Sequence, residues 1–320
     1  MSRLWPFLAL VAIGAGWGVT SPLVKIAVED GFRPLGILLW QFCLGIPFLA
    51  GWLWLRRSLG GRDRRAPREP LLPLGPAELR LYAAVASVGM VVPHFFSYTA
   101  LGHLPSGVVS IIVSMVPLFA LPLALGLGME RFERQRLIGL VFGAVAVALL
   151  ILPEASLPET AAAGFVLVAM LTPLCYALEG VYVAGRASRR AGPMQTLLGG
   201  QILGLAAVLP LALATGQAVS PVRGWGAAEW AVALTGVLSP LAYAGYVALL
   251  RATGAVFAAQ VSYLVTGSGV VWAMVLLGER YSGWVWAALA LLFAGLFLVQ
   301  PRPALPPEPR AGAPAVRAGS

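Results

Sequence analysis

The sequence predicts an all-α polytopic membrane protein with ten transmembrane helices, arranged as two inverted repeats of five helices. Composition predicts the membrane class, because 59% of the 320 residues are hydrophobic and only 11% are charged. A soluble domain carries about 25% charged residues. The repeat is predicted by an order of apolar and charged segments that occurs twice along the chain. The lipid bilayer is therefore the expected solvent for most of the protein.

Ten apolar segments meet or approach the length of about 20 residues that a spanning helix needs. In chain order they are Leu4–Val28, Leu35–Leu55, Leu79–Leu101, Ser106–Leu127, Leu137–Leu152, Ala162–Ala184, Thr196–Ala214, Ala227–Leu250, Val256–Leu277 and Gly283–Gln300. The first segment exceeds the roughly 7–15 apolar residues of a signal peptide, so we expect it to be retained. Cys43 and Cys175 fall inside apolar segments and are expected to be buried free thiols.

The repeat is clearest around Pro105–Leu150, which contains an apolar run, the pair Glu130-Arg131 and a second apolar run. The same order recurs 149 positions later, around Glu279-Arg280. A period near half the chain indicates two fused halves, as in transporters built from repeated bundles. Because five spans per half is an odd number, the second half enters the membrane in the opposite direction. We therefore expect Glu130 and Glu279 on opposite sides.

The expected domain boundaries follow from this repeat. Residues 1–152 form the first repeat, with helices 1–5 and a cytoplasmic loop over residues 56–78, and residues 153–300 form the second, inverted repeat, with helices 6–10. Residues 301–320 are rich in proline and alanine and show no apolar periodicity. That composition predicts a disordered cytoplasmic tail.

The placement of the arginines predicts that both termini are cytoplasmic. With the N-terminus inside, seventeen arginines fall on the cytoplasmic side, and only Arg33, Arg223 and Arg280 fall on the other side. This asymmetry satisfies the positive-inside rule. The net charge of +9 is therefore a topology signal and does not indicate a nucleic-acid partner. The expected partners are the lipid bilayer and a small-molecule substrate, and the sequence leaves a monomer and a homo-oligomer equally open.

Ionisable residues inside the spans are few, and the conspicuous ones are Lys25, His94 and Glu179. A charge at the bilayer centre costs about 2.5–3.5 kcal/mol, so such groups tend to face a cavity or a partner. Lys25 could pair with Glu29 or line the cavity. Glu179 could pair with Arg186 or line the cavity. His94 lies in the middle of a predicted helix, where we expect it to face the cavity.

Polar and aromatic side chains also recur at helical spacing, where residues i, i+3, i+4 and i+7 share a face. Five such faces, drawn from both halves, predict a central amphipathic cavity. They are His94, Ser97 and Tyr98; Ser110, Ser114 and Pro117; Tyr176 and Glu179; Ser239, Tyr243 and Tyr246; and Gln260, Tyr263 and Gly267. For each face taken alone, hydrogen bonding between helices is the alternative interpretation.

Short motifs carry a resemblance to a known family. The opening Trp17-Gly18-Val19-Thr20-Ser21-Pro22-Leu23-Val24-Lys25 resembles the Trp-Gly…Lys signature of the drug/metabolite transporter superfamily, EamA family. The turns Leu-Gly-Met-Glu130-Arg131 and Leu-Leu-Gly-Glu279-Arg280 resemble the family's Leu-Gly-Glu turn between the fourth and fifth helices of each repeat. The resemblance extends to Gln300. It departs at the sixth helix, which has no Trp-Gly pair and offers only Tyr176 nearby.

The resemblance implies export of small metabolites across the bacterial inner membrane by alternating access. Within the family, the sequence is most similar to exporters of amino acids, including aromatic ones; other small organic compounds or drugs are the alternative substrates. The residues expected to bind substrate between the halves are Pro93, His94, Tyr98, Ser239, Tyr243, Gln260 and Tyr263, followed by Tyr176, Glu179, Trp17 and Lys25.

Two functions from other classes are the alternatives, an intramembrane enzyme and a membrane assembly subunit. The sequence contains no HExxH motif, no GxSxG motif and no pair of aspartates within a span, and it offers no evident set of nucleophile and base. It also lacks the cysteine and histidine spacing of a metal site. We therefore expect that the protein is not an enzyme and needs no cofactor.

Overall fold

The computed structural model describes residues 4–59, 70–130, 132–151, 163–186, 191–219, 224–258 and 260–299. Within these ranges every regular element is a helix. Ten apolar segments, numbered span 1 to span 10 in chain order, form the bundle. Spans 1–8 are long and apolar enough to cross a membrane, and spans 9 and 10 are apolar helices of 17 residues. The predicted fold class is confirmed. The predicted tail over residues 301–320 lies outside the described residues.

The helices have the following bounds. Span 1 consists of Trp5–Gly18 and Thr20–Glu29, span 2 is Pro34–Leu59, span 3 consists of Pro76–Ala84, Val85–Val91 and Val92–Leu101, and span 4 consists of Ser106–Val113 and Val116–Gly126. Span 5 is Arg134–Ile151, span 6 is Ala163–Arg186, span 7 is Pro193–Ala214 and span 8 is Ala227–Thr253. A short helix, Ala255–Ala258, precedes span 9, Val261–Leu277, and span 10 is Gly283–Val299.

Three spans of the first half depart from a continuous α-helix. Span 1 is interrupted at Val19, and Val85–Val91 of span 3 form a π-helix. Span 4 is interrupted between Val113 and Val116. In each case a proline follows within a few residues, namely Pro22, Pro93 or Pro117. Proline lacks a backbone N–H and its ring clashes with the preceding turn, which accounts for the position of these irregularities.

Span 5 begins at Arg134, three residues before the predicted start. The side chain of Arg136 is buried, and its guanidinium lies 3.0 Å from the carboxylate of Glu130 and 3.5 Å from that of Glu133. These two acids compensate the charge, so the helix can include an arginine that the apolar pattern excludes. The hydrophobicity pattern treats Arg136 as an isolated charge, because it contains no information about the two acids. It therefore predicts a start of span 5 that is too late in the sequence.

The prediction that both cysteines are buried is wrong for Cys43. Cys43 is exposed on the surface of span 2, and Cys175 is half-buried in span 6; both are free thiols. In a membrane protein a lipid-facing position is as apolar as a core position. The apolar run around Cys43 therefore could not distinguish the two environments.

The two halves pack mainly against each other. Spans 5 and 10 form the most extensive pair, and spans 1, 8, 2, 7, 3, 6, 4 and 9 follow one another in a closed ring of contacts. This pattern is unchanged when spans 1–5 are exchanged with spans 6–10. Such a pattern is typical of two repeats related by a pseudo-two-fold axis.

Glycines allow the closest approaches between the halves. A Cβ at Gly139 of span 5 would lie 2.7 Å from the carbonyl oxygen of Gly295 in span 10, and a Cβ at Gly295 would lie 2.8 Å from the carbonyl oxygen of Gly139. A Cβ at Gly18 of span 1 would lie 2.7 Å from the carbonyl oxygen of Val265 in span 9. Because lipid supplies no hydrophobic force between helices, such backbone contacts contribute much of the packing energy.

The repeated turns adopt the same backbone conformation. Gly128 follows span 4 with φ of 69°, and Gly278 follows span 9 with φ of 66°. Both values are left-handed, which glycine adopts without steric cost and which commonly ends a helix. The turns then differ by one residue, because Met129 separates Gly128 from Glu130, whereas Glu279 follows Gly278 directly. Glu130 therefore lies two residues after its left-handed glycine, and Glu279 lies one residue after its own.

The outer surface of the bundle is apolar. Large exposed hydrophobic side chains occur on both halves and include Leu8, Val141, Leu167, Leu213, Val275 and Phe297. Exposure of such residues on helices of this length is what a lipid environment requires.

Replacing Gly139 with alanine is expected to destabilise the contact between spans 5 and 10. The new methyl group would meet a backbone carbonyl that cannot move away, and overpacking of this kind typically costs about 1–3 kcal/mol. We expect a lower midpoint of thermal unfolding for the detergent-purified protein. Gly180→Ala is the matched control, because a Cβ at Gly180 of span 6 meets no atom within 4 Å. An equal midpoint for both variants would contradict this account of the packing.

Candidate functional site

A cavity of about 630 Å³ lies inside the ring of spans. Spans 2, 3, 6, 7 and 8 supply most of its wall, and spans 1 and 4 contribute one residue each, Trp17 and Val116. Apolar side chains alternate with groups that can form hydrogen bonds. The latter are Trp17, Gln41, His94, Tyr176, Glu179, Thr196, Gln201, Thr235, Ser239 and Tyr243. The volume falls within the roughly 300–1,000 Å³ of small-molecule sites.

The cavity extends toward one side of the bundle, which we call the open side. Spans 3 and 7 begin on this side and span 6 ends on it. Leu81 and Val85 of span 3, Val183 of span 6 and Pro193 of span 7 line this part of the cavity, together with Ala191 from the connecting loop. From the loops on the opposite, closed side, no described residue lines the cavity. The cavity therefore has access from one side of the membrane.

Glu279 closes the opposite side by bonding to a helix of the other half. Its carboxylate accepts the backbone N–H of Ser106 at 2.7 Å and that of Gly107 at 3.2 Å. These two residues begin span 4, where unpaired N–H groups and the helix dipole favour a negative charge. The hydroxyl of Tyr281 also donates to Glu279. Burial and the adjacent carboxylate raise the pKa of Tyr281, so its hydroxyl keeps the proton that it donates.

Two further bonds on the closed side connect span 2 to the loop after span 7. Gln217 accepts the backbone N–H of Leu35 at 3.2 Å. The indole N–H of Trp40 donates to the carbonyl of Val219 at 3.0 Å. With the contacts of Glu279, these bonds join elements of the two halves at two places on the closed side.

A chain of hydrogen bonds crosses the wall of the cavity between spans 3, 2 and 8. The hydroxyl of Tyr98 donates to Oε1 of Gln41 at 2.8 Å, and Nε2 of Gln41 donates to the hydroxyl of Thr235 at 2.8 Å. Thr235 in turn donates to the carbonyl of Val232 at 2.8 Å. Each donor therefore has an acceptor, which satisfies polar groups that would otherwise be costly to bury.

His94 is held in one orientation by its neighbours. Its Nδ1 lies 2.6 Å from the carbonyl of Met90, and because a carbonyl can only accept, Nδ1 must carry a proton. Nε2 lies 3.5 Å from the hydroxyl of Tyr176. In the neutral imidazole Nε2 is an acceptor, so Tyr176 donates to it. The ring of Tyr98 meets the imidazole edge-on, with centroids 5.4 Å apart.

Glu179 and Gln201 both line the cavity. A Cβ at Gly89 would lie 2.5 Å from the carboxyl carbon of Glu179, so the absence of a side chain at Gly89 makes room for this carboxylate. Gln201 is 8% exposed, and its Oε1 has no hydrogen-bond partner among the described residues. Its amide packs against Gly45 of span 2.

The structure brings together six of the eleven residues that the sequence suggested for substrate binding. The residues that line the cavity are Trp17, His94, Tyr176, Glu179, Ser239 and Tyr243. Tyr98 lies behind the wall and contacts the cavity residue Gln41. Pro93 is buried, and its carbonyl accepts a hydrogen bond from Thr172 at 3.0 Å.

Three of the eleven residues lie elsewhere. Lys25 is on the closed side, where it donates to the carbonyl of Leu101 at 2.7 Å and lies 3.4 Å from the carboxylate of Glu29. Tyr263 of span 9 packs against Phe293 of span 10. Gln260 lies just before span 9 and outside the lining. The side chain of Arg186, the suggested partner of Glu179, lies outside the described residues.

Sequence reasoning missed four polar residues of the lining, Gln41, Thr196, Gln201 and Thr235. A signal for the two glutamines was available, because each interrupts an apolar segment near the start of a span. Gln41 lies seven residues after Pro34, the first residue of span 2, and Gln201 lies eight residues after Pro193, the first residue of span 7. Spans 2 and 7 are equivalent in the repeat. Amide side chains at the same depth in two equivalent helices indicate that both helices face the boundary between the two halves.

The described residues contain no group of three or more His, Cys, Asp or Glu side chains that could hold a metal ion. The polar groups at the cavity are instead suited to hydrogen bonding with an organic molecule.

Comparisons with known proteins agree with this architecture. The model of the EamA-like transporter family matches residues 4–152 and again residues 164–300. No curated protein matches the chain. Among solved structures, one crystal structure of a protein is 19% identical in sequence to this chain. The match covers 93% of this chain and 98% of that chain, with a TM-score of 0.56. That likeness shows the fold alone. With the family model matched in both halves, the chain belongs to the EamA-like transporter family, whose members move small molecules across membranes.

Proposed function

We propose that the protein exports amino acids, including aromatic ones, across the bacterial inner membrane by alternating access. The observation that carries the proposal is the one-sided cavity, which is large enough for a small metabolite and is closed at its other end by contacts between the halves. Aromatic rings beside hydrogen-bonding groups suit molecules with a polar head and an apolar side chain. Other small organic compounds or drugs are the alternative substrates.

The assignment of the open side to the cytoplasm rests on the arginine asymmetry. If both termini are cytoplasmic, spans 3 and 7 begin in the cytoplasm, and the open side of the cavity faces the cytoplasm. The structure then represents the state that receives substrate from inside the cell. The opposite state requires release of the contacts made by Glu279, Gln217 and Trp40.

Six lining residues are the proposed substrate contacts, namely Trp17, His94, Tyr176, Glu179, Ser239 and Tyr243. Tyr98 is proposed to act through Gln41, whose amide it orients. Pro93, Gln260, Tyr263 and Lys25 stay predictions of the sequence. The two repeats are proposed to correspond to residues 1–152 and 153–300.

The direct experiment is a transport screen on reconstituted vesicles with labelled amino acids, with and without an imposed pH gradient. We expect transport of at least one aromatic amino acid. Absence of movement for every amino acid would refute the proposed substrate class, and transport of unrelated drugs alone would favour the alternative.

Topology can be tested by labelling with a membrane-impermeant thiol reagent. In a Cys43→Ala, Cys175→Ala background, we expect Met129→Cys to react only from the cytoplasmic side and Arg280→Cys only from the opposite side. Both positions are exposed and lie next to Glu130 and Glu279. Labelling of both cysteines from one side would contradict the inverted repeat.

Replacing His94 with leucine is expected to reduce transport at least tenfold without loss of the folded protein. Leucine fills a similar volume but removes the groups that bond to Met90 and Tyr176. The initial rate of uptake into vesicles between pH 5 and pH 8 measures the effect. His103→Leu is the matched control, because His103 stacks on Phe165 away from the cavity. Normal transport by His94→Leu over this pH range would exclude His94 from the pathway.

Replacing Glu279 with glutamine is expected to open the closed side. The substitution removes the negative charge from the N-terminus of span 4, and a hydrogen bond to a charged group contributes about 1.5–3 kcal/mol, which corresponds to at least tenfold in the population of the two states. In the cysteine-free background, a cysteine at Ser239 should then react about tenfold faster from the closed side. Glu130→Gln, which affects the equivalent acid of the first half, should not increase this rate. Equal rates in all three proteins would contradict the role of Glu279.

A further inference from the structure

We propose that Glu179 binds the protonated amine of the substrate, so that the cavity selects its ligands by their ammonium group and does not require their carboxylate. This inference rests on the proposed function, because it assigns the chemical class that the same cavity recognises. It also goes further, since it ranks cations, zwitterions and anions as ligands.

The first argument is the balance of charge at the cavity. Among the described residues that line it, Glu179 is the one acid, and none is lysine or arginine. The ion pairs of the described residues involve Lys25 with Glu29 and Arg136 with Glu130 and Glu133, all away from Glu179. A carboxylate at this depth is costly unless a cation or a proton accompanies it. A substrate ammonium would supply that cation.

The sequence suggested Arg186 as a partner of Glu179. It lies seven residues after Glu179 on the same helix, which places the two backbones about 10.5 Å apart along the helix axis. Ion pairs along a helix join residues three or four positions apart. This separation does not favour an ion pair along the helix, and the carboxylate of Glu179 is directed toward Gly89 of span 3.

The second argument is the room that Gly89 leaves. A Cβ at Gly89 would lie 2.5 Å from the nearer carboxylate oxygen of Glu179 and 2.9 Å from the other. Both Gly89 and Glu179 line the cavity. Any larger residue at position 89 would displace the carboxylate, so the pair forms a recess that holds a negative charge at the wall.

The third argument is a set of further groups that suit an ammonium. An ammonium has three N–H donors and no acceptor, and besides Glu179 the lining offers hydroxyl oxygens such as that of Ser239. The rings of Trp17, Tyr176 and Tyr243 also line the cavity, and aromatic faces attract cations. For a substrate carboxylate the described wall offers only neutral donors, such as the hydroxyl of Ser239.

A series of three indole compounds tests the ranking. Tryptamine carries only the amine, tryptophan carries both charges, and indole-3-propionate carries only the carboxylate. We expect the detergent-purified protein at pH 7 to bind tryptamine at least as tightly as tryptophan. It should bind indole-3-propionate at least tenfold more weakly than either of them. Equal binding of tryptamine and indole-3-propionate would overturn the proposal.

Substitutions then assign the effect to Glu179. Glu179→Gln should weaken the binding of tryptamine and tryptophan at least tenfold, since the loss of a charged hydrogen bond has an effect of about this size. The binding of indole-3-propionate should stay unchanged or become tighter. Gly89→Ala should weaken the binding of both amines in the same way, because the added methyl group displaces the carboxylate of Glu179. Glu133→Gln is the control, because Glu133 lies outside the cavity beside Arg136 and its loss should not change the ranking. The melting temperature of each variant establishes that it is folded.

The outcomes separate this inference from the proposed function. If tryptophan binds and Glu179→Gln binds it equally well, amine recognition by Glu179 is refuted and the amino-acid substrate stands. If tryptamine binds through Glu179 and no amino acid moves in the transport screen, amine recognition is supported and the amino-acid substrate is refuted. If the unmodified protein binds neither tryptamine nor tryptophan, amine recognition is refuted, and the transport screen decides on the amino-acid substrate independently.

Discussion

The structure depends on the packing of each half against the other. The largest contacts, such as those between spans 5 and 10 and between spans 1 and 9, join the two repeats, and contacts within a repeat are smaller. In lipid, helices associate through close packing and hydrogen bonds, and the glycines at positions 139, 295 and 18 bring backbones together where the halves meet. A single half would lack both the ring and the enclosed cavity.

The two halves share a pattern of apolar and charged segments, but the contacts made by their equivalent residues differ. Glu130 and Glu279 follow equivalent left-handed glycines, yet Glu130 pairs with Arg136 in its own half, whereas Glu279 bonds to the first turn of span 4 in the other half. A chain with two identical sets of contacts would favour neither side. The structure is open on one side because the acid of one turn is engaged across the halves while its counterpart is engaged locally.

The sequence predicted the elements well and the cavity wall in part. The ten spans were predictable because the hydrocarbon core sets their length and their composition. Six cavity residues were found because charged and aromatic side chains stand out in apolar runs. Lys25 stands out equally, and its pairing with Glu29 was one of the two interpretations that the sequence offered. Its bond to the carbonyl of Leu101 comes from a distant helix end that spacing does not show. Gln41 was missed because its role depends on Tyr98 and Thr235 from two other spans.

The π-helix of span 3 sets the rotational phase of the residues that follow it. In a regular α-helix, the nine residues from Val85 to His94 make two and a half turns, so the two side chains would project in opposite directions. Both nevertheless line the cavity, because the wider turn over Val85–Val91 absorbs one residue of the count. Conversion of that turn to the α form would rotate His94 by about 100° relative to Val85. The π-helical turn is therefore the part of span 3 that decides whether Val85 and His94 can face the same cavity.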